Sequence, residues 1–253
     1  MRLPLKFKTI AALLTVVVLV GTVVFLVWAS NPLGPMLEAE AALQSDGQVT
    51  VVMDPWITFE PVGTAVDTAV DTGFIFYPGG RVDAHSYAPP ARAIAEAGYL
   101  VVIPPMPLNL AVFNPNAADD IIAAHDEIKT WVIGGHSLGG AMAANYVYNH
   151  LGQLDGLVLW AAYPAENNDL ALRDLPVLNI YGTEDGQANE LWAARFRLPP
   201  ETQWLVIEGG NHAQFGWYGR QSGDGEATIS REQQQEAFTQ ATVALLASVS
   251  TND

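Results

Sequence analysis

The chain has no cysteine among its 253 residues. This absence excludes a disulfide framework, a cysteine-ligated metal site and a lipid-modified N-terminal cysteine. Cationic side chains are also scarce, since 11 Lys and Arg stand against 27 Asp and Glu and give a formal net charge of −16. Such an acidic chain is not attracted nonspecifically to polyanions. We therefore expect no nucleic-acid partner.

Charged side chains are missing altogether between Lys8 and Glu38, and the 21 residues Thr9–Ala29 are nearly all apolar. A helix rises about 1.5 Å per residue, so this run matches the roughly 30 Å hydrocarbon core of a bilayer. Trp28 lies at its far end, where an indole favours the membrane interface. The sequence predicts one transmembrane helix and, through it, the membrane as a partner.

Charge asymmetry around this helix predicts its orientation. Arg2, Lys6 and Lys8 precede it, whereas residues 9–253 carry 8 cationic and 27 acidic side chains, a net −19. The positive-inside rule then predicts a single-pass protein of the cell membrane with a cytoplasmic N-terminus and an extracytoplasmic globular part. The alternative is a signal peptide cleaved after Ala29, which would give a secreted protein.

Three segments follow from this division. Residues 1–30 form the basic start and the anchor, and residues 31–48 form a linker rich in Pro and Gly breakers, with one short helix at most. Residues 49–253 form the globular domain. Its length suits a single core.

Short apolar runs recur along the globular domain. Those from Phe74 onward are continuous, as expected for strands that are buried on both faces of a parallel sheet. The predicted strands are Val49–Met53, Trp56–Phe59, Phe74–Tyr77, Tyr99–Ile103, Trp131–Ile133, Leu157–Ala161, Val177–Tyr181 and Trp204–Ile207. The predicted helices are Tyr87–Ala97, Ala118–Lys129, Leu138–Leu151, Asn189–Phe196 and Arg231–Ala247, the last with a capping box formed by Ser230 and Gln233.

This alternation predicts an α/β fold with a doubly wound, mostly parallel sheet of about eight strands. Ligands bind at the carboxyl ends of the strands in such sheets.

A candidate nucleophile stands at one of these ends. The strand Trp131–Ile133 runs into a glycine-rich turn that contains the pattern G-x-S-x-G at Gly135, Ser137 and Gly139, and a helix follows. A serine on a tight strand-to-helix turn exposes its hydroxyl, and the glycines allow the close backbone packing that the turn needs. Ser137 is the predicted nucleophile.

A nucleophilic serine needs a base and an acid that orients the base. His212 follows the last strand, whereas His125 and His150 fall in predicted helices, His136 points away from the serine hydroxyl, and His85 is an outside candidate. We predict His212 as the base.

Two carboxylates compete for the role of the acid. Asp185 and Glu184 both lie in the turn after Val177–Tyr181, and the chain order Ser, Asp, His favours Asp185.

An oxyanion hole needs two N–H donors. The amide of Leu138 directly follows the nucleophile. The second amide should come from the loop after Phe74–Tyr77, where we predict Gly80, with Arg81 as the alternative.

These motifs together resemble the α/β-hydrolase superfamily, over about four-fifths of the chain. They are YPGG at Tyr77–Gly80, GGHSLGG at Gly134–Gly140, YGTEDG at Tyr181–Gly186 and GGNHAQFGWYG at Gly209–Gly219. The chain is most similar to small members of the dienelactone-hydrolase type. The resemblance implies a Ser137–His212–Asp185 triad. The chain departs from the family pattern at two positions. Pro78 stands where a His is more familiar, and Ser137 stands in place of the cysteine nucleophile of dienelactone hydrolases.

Many superfamily members carry a helical lid after the sixth strand. Here only Tyr163–Leu175 separates that strand from the next, which leaves no room for one. We therefore expect an open site without a lid. The segment Gln214–Tyr218 can be core packing or a wall of the acyl pocket. The segment Asp224–Glu226 is interpreted as a solvated turn.

The predicted function is hydrolysis of small-molecule carboxylic esters by a serine hydrolase that needs no metal and no organic cofactor. The alternatives are an amidase or peptidase with the same triad, or an inactive hydrolase fold that serves as a binding module.

Overall fold

The computed structural model describes residues 5–63 and 71–250, with side chains from Thr9 onward. The side chains of Arg2, Lys6 and Lys8, on which the predicted orientation depends, lie outside this description.

One sheet of eight strands organises the globular part, in the order β1-β2-β4-β3-β5-β6-β7-β8. The strands are β1 (Val49–Val52), β2 (Ile57–Pro61), β3 (Thr72–Tyr77), β4 (Leu100–Ile103), β5 (Thr130–His136), β6 (Gly156–Trp160), β7 (Val177–Gly182) and β8 (Gln203–Ile207). Strand β2 pairs antiparallel with β1 and with β4, and all other pairs are parallel. The predicted doubly wound, mostly parallel sheet is confirmed.

The described residues form seven α-helices. They are α1 (Leu5–Ala29), α2 (Leu37–Ala42), α3 (Ala88–Glu96), α4 (Ala117–Ala124), α5 (Leu138–Asn149), α6 (Ala188–Ala193) and α7 (Arg231–Ser250). Ser230 and Gln233 cap α7 reciprocally, each backbone N–H donating to the other side chain at 3.0 and 3.2 Å, as the sequence predicts.

Helix α4 ends five residues before the predicted boundary at Lys129. The backbone amides of Lys129 and Thr130 both donate to the Asp71 carbonyl at 2.9 Å. The chain must therefore leave the helix early to enter β5 beside β3. The helical periodicity of the sequence gives no indication of this long-range contact.

Both faces of the sheet are buried, which explains the continuous apolar runs. In β3, Phe74 and Phe76 pack into a cluster with α3 and α7, whereas Ile75 and Tyr77 pack into a second cluster with α4 and α5. Successive side chains of a strand point to opposite faces, so each one enters a hydrophobic layer.

Helix α1 is a candidate membrane span over Thr9–Ala29, with a mean hydropathy of 3.0. Its most apolar 18-residue window has no buried residue, although Ala29 at the end of the helix is fully buried. The protein thus leaves the apolar surface of α1 uncovered, and a bilayer would bury that surface.

Candidate active site

Ser137 occupies the single position between β5 and α5. Its backbone has φ +54° and ψ −122°, a conformation that L-residues rarely adopt and that occurs mostly at functional sites. The Ser137 amide donates to the Trp160 carbonyl on β6 at 3.0 Å. The serine is therefore held in a strained turn at the carboxyl edge of the sheet.

Glycines make this turn possible. A Cβ on Gly135 would lie 2.6 Å from the backbone carbon of Gly139, and a Cβ on Gly139 would collide with the carbonyl oxygen of Tyr77. Strand β3, the turn and the first residues of α5 can approach this closely only where side chains are absent.

Asp185 and His212 meet at the same edge of the sheet. Asp185 follows β7 and His212 follows β8, and Asp185 Oδ2 lies 2.8 Å from His212 Nδ1. Both residues are buried. Because a carboxylate only accepts hydrogen bonds, Nδ1 carries the proton in this pair and Nε2 is left as an acceptor.

The link from His212 to Ser137 is not made in this structure. His212 Nε2 is buried and has no hydrogen-bond partner among the described residues. The imidazole nevertheless lies next to the turn, since its ring centroid is 4.5 Å from that of His136, the neighbour of Ser137. Catalytic hydrogen bonds are often long before substrate binds and tighten in the complex.

The competing residues are occupied elsewhere. The Glu184 carboxylate contacts the Thr183 hydroxyl at 3.4 Å and makes no hydrogen bond to His212. His85 Nδ1 lies 2.6 Å from Asp83 Oδ1, and this hydrogen bond raises the pKa of His85. The structure thus places Asp185, and not Glu184, beside the imidazole.

Two residues of the cavity that contains Ser137 have backbone amides without an acceptor in the described part of the chain. Neither Gly80 N–H nor Leu138 N–H has an acceptor among the described residues, and both residues line the same cavity of about 440 Å³ as Ser137. The amide of Arg81, the alternative donor, is already bonded to the Asn109 carbonyl at 2.7 Å. Gly80 and Leu138 therefore remain the available pair.

A relay that the sequence does not reveal supports the Gly79–Gly80 loop. The amide of Gly79 donates to the Tyr87 hydroxyl at 3.0 Å, and this hydroxyl lies 2.8 Å from His136 Nδ1. The Tyr87 hydroxyl thus joins this loop to the His136 ring. Burial holds the pKa of His136 well below its ordinary value of 6.5, so the imidazole is neutral near pH 7.

Asp224 is a second residue that sequence reasoning missed. The interpretation of Asp224–Glu226 as a solvated turn is wrong for Asp224, whose carboxylate accepts the amides of His212 at 3.0 Å and Ala213 at 2.8 Å. The aspartate lies 12 residues beyond His212, and no local pattern indicates the contact. Asp224 fixes the backbone that carries the imidazole.

The lining of the cavity contradicts the interpretation of Gln214–Tyr218 as a pocket wall. These residues do not line the cavity, and Phe215 instead stacks on His136 with centroids 5.7 Å apart. The walls include Trp28, Leu33 and Leu110. Residues 161–176, all described, contain no helix, so no helical lid is inserted there.

Among the described residues, no group of three or more His, Asp and Glu side chains is placed to hold a metal ion.

Comparisons with known proteins identify the family. The model of a family described as the alpha/beta hydrolase family matches residues 73–236. A comparison with curated protein sequences finds no match.

Solved structures share the fold at low sequence identity. A CIB-like hydrolase from Thermoplasma acidophilum aligns with a TM-score of 0.57 and 15% identity, over 79% of this chain and 98% of the other. A mutant of the esterase rPPE gives 0.54 and 14%, over 84% and 86%. A protein assigned as a dienelactone hydrolase from Klebsiella pneumoniae gives 0.51 and 17%, over 79% and 97%.

The neutral state of His136 predicts a pH dependence of stability. Below pH 6.5 the unfolded chain binds a proton at this residue that the folded chain does not. As the pH is lowered through this range, the free energy of unfolding should therefore fall by up to about 1.4 kcal/mol per pH unit. His136→Gln should reduce this slope in urea unfolding followed between about pH 5 and pH 7.

His85 provides the control of opposite sign. Its pKa is raised, so it adds stability below its folded pKa, and His85→Gln should steepen the fall. An unchanged slope in the His136 variant would contradict the neutral, buried assignment.

Proposed function

The chain belongs to the α/β-hydrolase family, and we propose that it is a serine hydrolase that cleaves carboxylic esters through an acyl-enzyme intermediate. The observation that carries the proposal is the buried 2.8 Å hydrogen bond between Asp185 and His212 Nδ1, which leaves Nε2 as a free acceptor at the edge where Ser137 lies half-buried in a strained turn.

Proton transfer begins at the serine. Ser137 Oγ attacks the ester carbonyl while His212 Nε2 takes its proton, and Asp185 stabilises the imidazolium that forms. The amides of Gly80 and Leu138 donate to the oxyanion of the tetrahedral intermediate. The ester C–O bond then breaks, and His212 returns the proton to the departing alcohol.

Deacylation repeats these steps with water. His212 takes a proton from water, the hydroxide attacks the acyl-enzyme carbonyl, and Ser137 leaves with the proton as the acid is released. The side chains and amides already named handle every proton and every charge, so the proposed reaction needs no metal and no organic cofactor.

We also propose that residues 1–30 anchor the enzyme, with residues 31–48 as linker and 49–253 as hydrolase domain. Contacts at the end of α1 support an intact anchor. Asn109 Nδ2 donates to the Ala29 carbonyl at 3.0 Å, and Arg81 Nε donates to the Trp28 carbonyl at 2.9 Å. Cleavage after Ala29 would remove both of these acceptors from the hydrolase domain. An extracytoplasmic hydrolase domain follows from the positive-inside rule.

N-terminal sequencing of the membrane fraction tests the anchor. We expect the mature chain to retain Thr9–Ala29, because the hydrolase domain binds the end of α1. A mature chain that begins at Ser30 and is found in the soluble fraction would contradict this expectation and indicate secretion.

A fluorophosphonate probe tests the nucleophile. The probe should label the wild type and not Ser137→Ala, and the variant should lose hydrolysis of p-nitrophenyl esters by about 10³-fold or more, as expected when a triad nucleophile is removed. Ser222, the other serine that lines the cavity, provides the control, and Ser222→Ala should remain labelled. A wild type that is not labelled would favour an inactive binding module.

Asp224 should act as a positioning residue. Asp224→Asn replaces one acceptor oxygen by a donor opposite a backbone N–H, which should displace His212 and lower kcat about tenfold with little change in KM. Glu226→Gln is the matched control, because Glu226 makes only an exposed ion pair with Arg220 and should leave kcat unchanged. Equal kcat values for both variants would show that Asp224 does not position His212 for catalysis.

A further inference from the structure

The cavity that contains Ser137 is partly built from the end of the apolar helix. Trp28, the penultimate residue of α1, and Leu33, just after α1, line it together with Gly80 and Leu138. We propose that the substrate is a lipid ester that resides in the bilayer and enters this cavity directly from the membrane surface. This inference rests on the proposed function and names its substrate class.

The wall formed by Trp28 is fixed to the catalytic loop. Arg81 directly follows Gly80, and its guanidinium lies 4.4 Å from the centroid of the Trp28 ring. The same guanidinium donates to the Trp28 carbonyl at 2.9 Å and to the Asn31 carbonyl at 2.7 Å. The Arg81 side chain thus connects the end of α1 to the loop that contains Gly80.

Backbone hydrogen bonds hold the following residues in the same place. The Leu33 amide donates to the Arg81 carbonyl at 2.7 Å, and the Asp83 amide donates to the Leu33 carbonyl at 3.0 Å. The segment after α1 therefore pairs with the loop after β3. These hydrogen bonds keep the hydrolase domain close to the end of α1 and hence to the membrane surface. The cavity stays at the level of Trp28, where an indole favours the interface.

The hydrolase domain also contacts α1 below this level. The ring of Phe113 lies 6.2 Å from that of Phe25, which precedes Trp28 by three residues and so lies about 4.5 Å further into the apolar span. Phe113 is 50% exposed and Val112 is 44% exposed. Apolar side chains that protrude beside a membrane helix bury their surface in the acyl region of the bilayer.

The protruding turn leads into the active site. Leu110, the residue before the 3₁₀ turn Ala111–Phe113, lines the cavity beside Ser137. An acyl chain that leaves the bilayer at Phe113 therefore meets Leu110 and Trp28 before its carbonyl reaches the serine. A substrate dissolved in water needs neither these apolar walls nor an active site held at the membrane surface.

Charge narrows the class of lipid. Residues 9–253 carry a net −19, which repels anionic headgroups at the bilayer surface. We therefore infer a neutral or zwitterionic lipid ester. Ser137 Oγ forms a bond to the acyl carbon, the ester C–O bond breaks, the alcohol leaves with the proton of the serine, and water then releases the fatty acid.

Full-length protein in vesicles of ether-linked phosphatidylcholine, which has no carboxylic ester bond and cannot compete as a substrate, tests the proposal. Two esters are compared: 4-methylumbelliferyl palmitate dissolved in the bilayer and p-nitrophenyl acetate in water. Phe113→Ser should lower the rate on the palmitate about fivefold relative to the rate on the acetate, because an apolar side chain is withdrawn from the membrane. The matched control is Phe196→Ser, which changes a 73% exposed phenylalanine on another turn and should leave the ratio unchanged.

The outcomes separate this inference from the proposed function. Hydrolysis of the acetate with a palmitate ratio that Phe113→Ser does not alter would overturn the lipid substrate and leave the esterase intact. Failure of the wild type to hydrolyse either ester, or to react with the fluorophosphonate probe, would overturn the proposed function itself.

Discussion

The whole site depends on a backbone approach that only glycine permits. Gly139 at the start of α5 lies against the carbonyl of Tyr77 at the end of β3, with no space for a Cβ between them. This contact sets Ser137 in its strained turn and brings the loop after β3 beside the first amide of α5. The nucleophile and both free amides are thus positioned by main chain, which costs little reorganisation when charge develops.

Side-chain hydrogen bonds hold the other half of the site. The loop that carries His212 is clamped by Asp224 on one side and by Gln234 on the other. The fully buried Gln234 side chain accepts the Asn211 amide at 2.9 Å and donates to the Asn211 carbonyl at 2.8 Å. Helix α7 thereby fixes the residue before the imidazole. An irregular loop is in this way given the rigidity of the helix that it contacts.

Most of the fold could be predicted from the sequence because its signals are local. Continuous apolar runs identify buried strands, and a serine between glycines at a strand-to-helix turn identifies the candidate nucleophile. Long-range contacts could not be predicted in this way. The early end of α4, the capture of the Arg81 amide by Asn109 and the role of Asp224 all depend on residues that are distant along the chain or on hydrogen bonds without a periodic pattern. The same holds for Trp28, whose sequence context indicates a membrane interface and not a cavity wall.

The missing contact between Ser137 and His212 is the point on which the proposed chemistry depends. An experimental structure of the full-length chain with a covalent fluorophosphonate adduct tests it most directly. We expect phosphorus on Ser137 Oγ, a phosphonyl oxygen about 3 Å from the amides of Gly80 and Leu138, and His212 Nε2 within hydrogen-bond reach of the serine oxygen. An adduct on another residue, or an imidazole that stays out of reach of Ser137, would contradict the proposed triad.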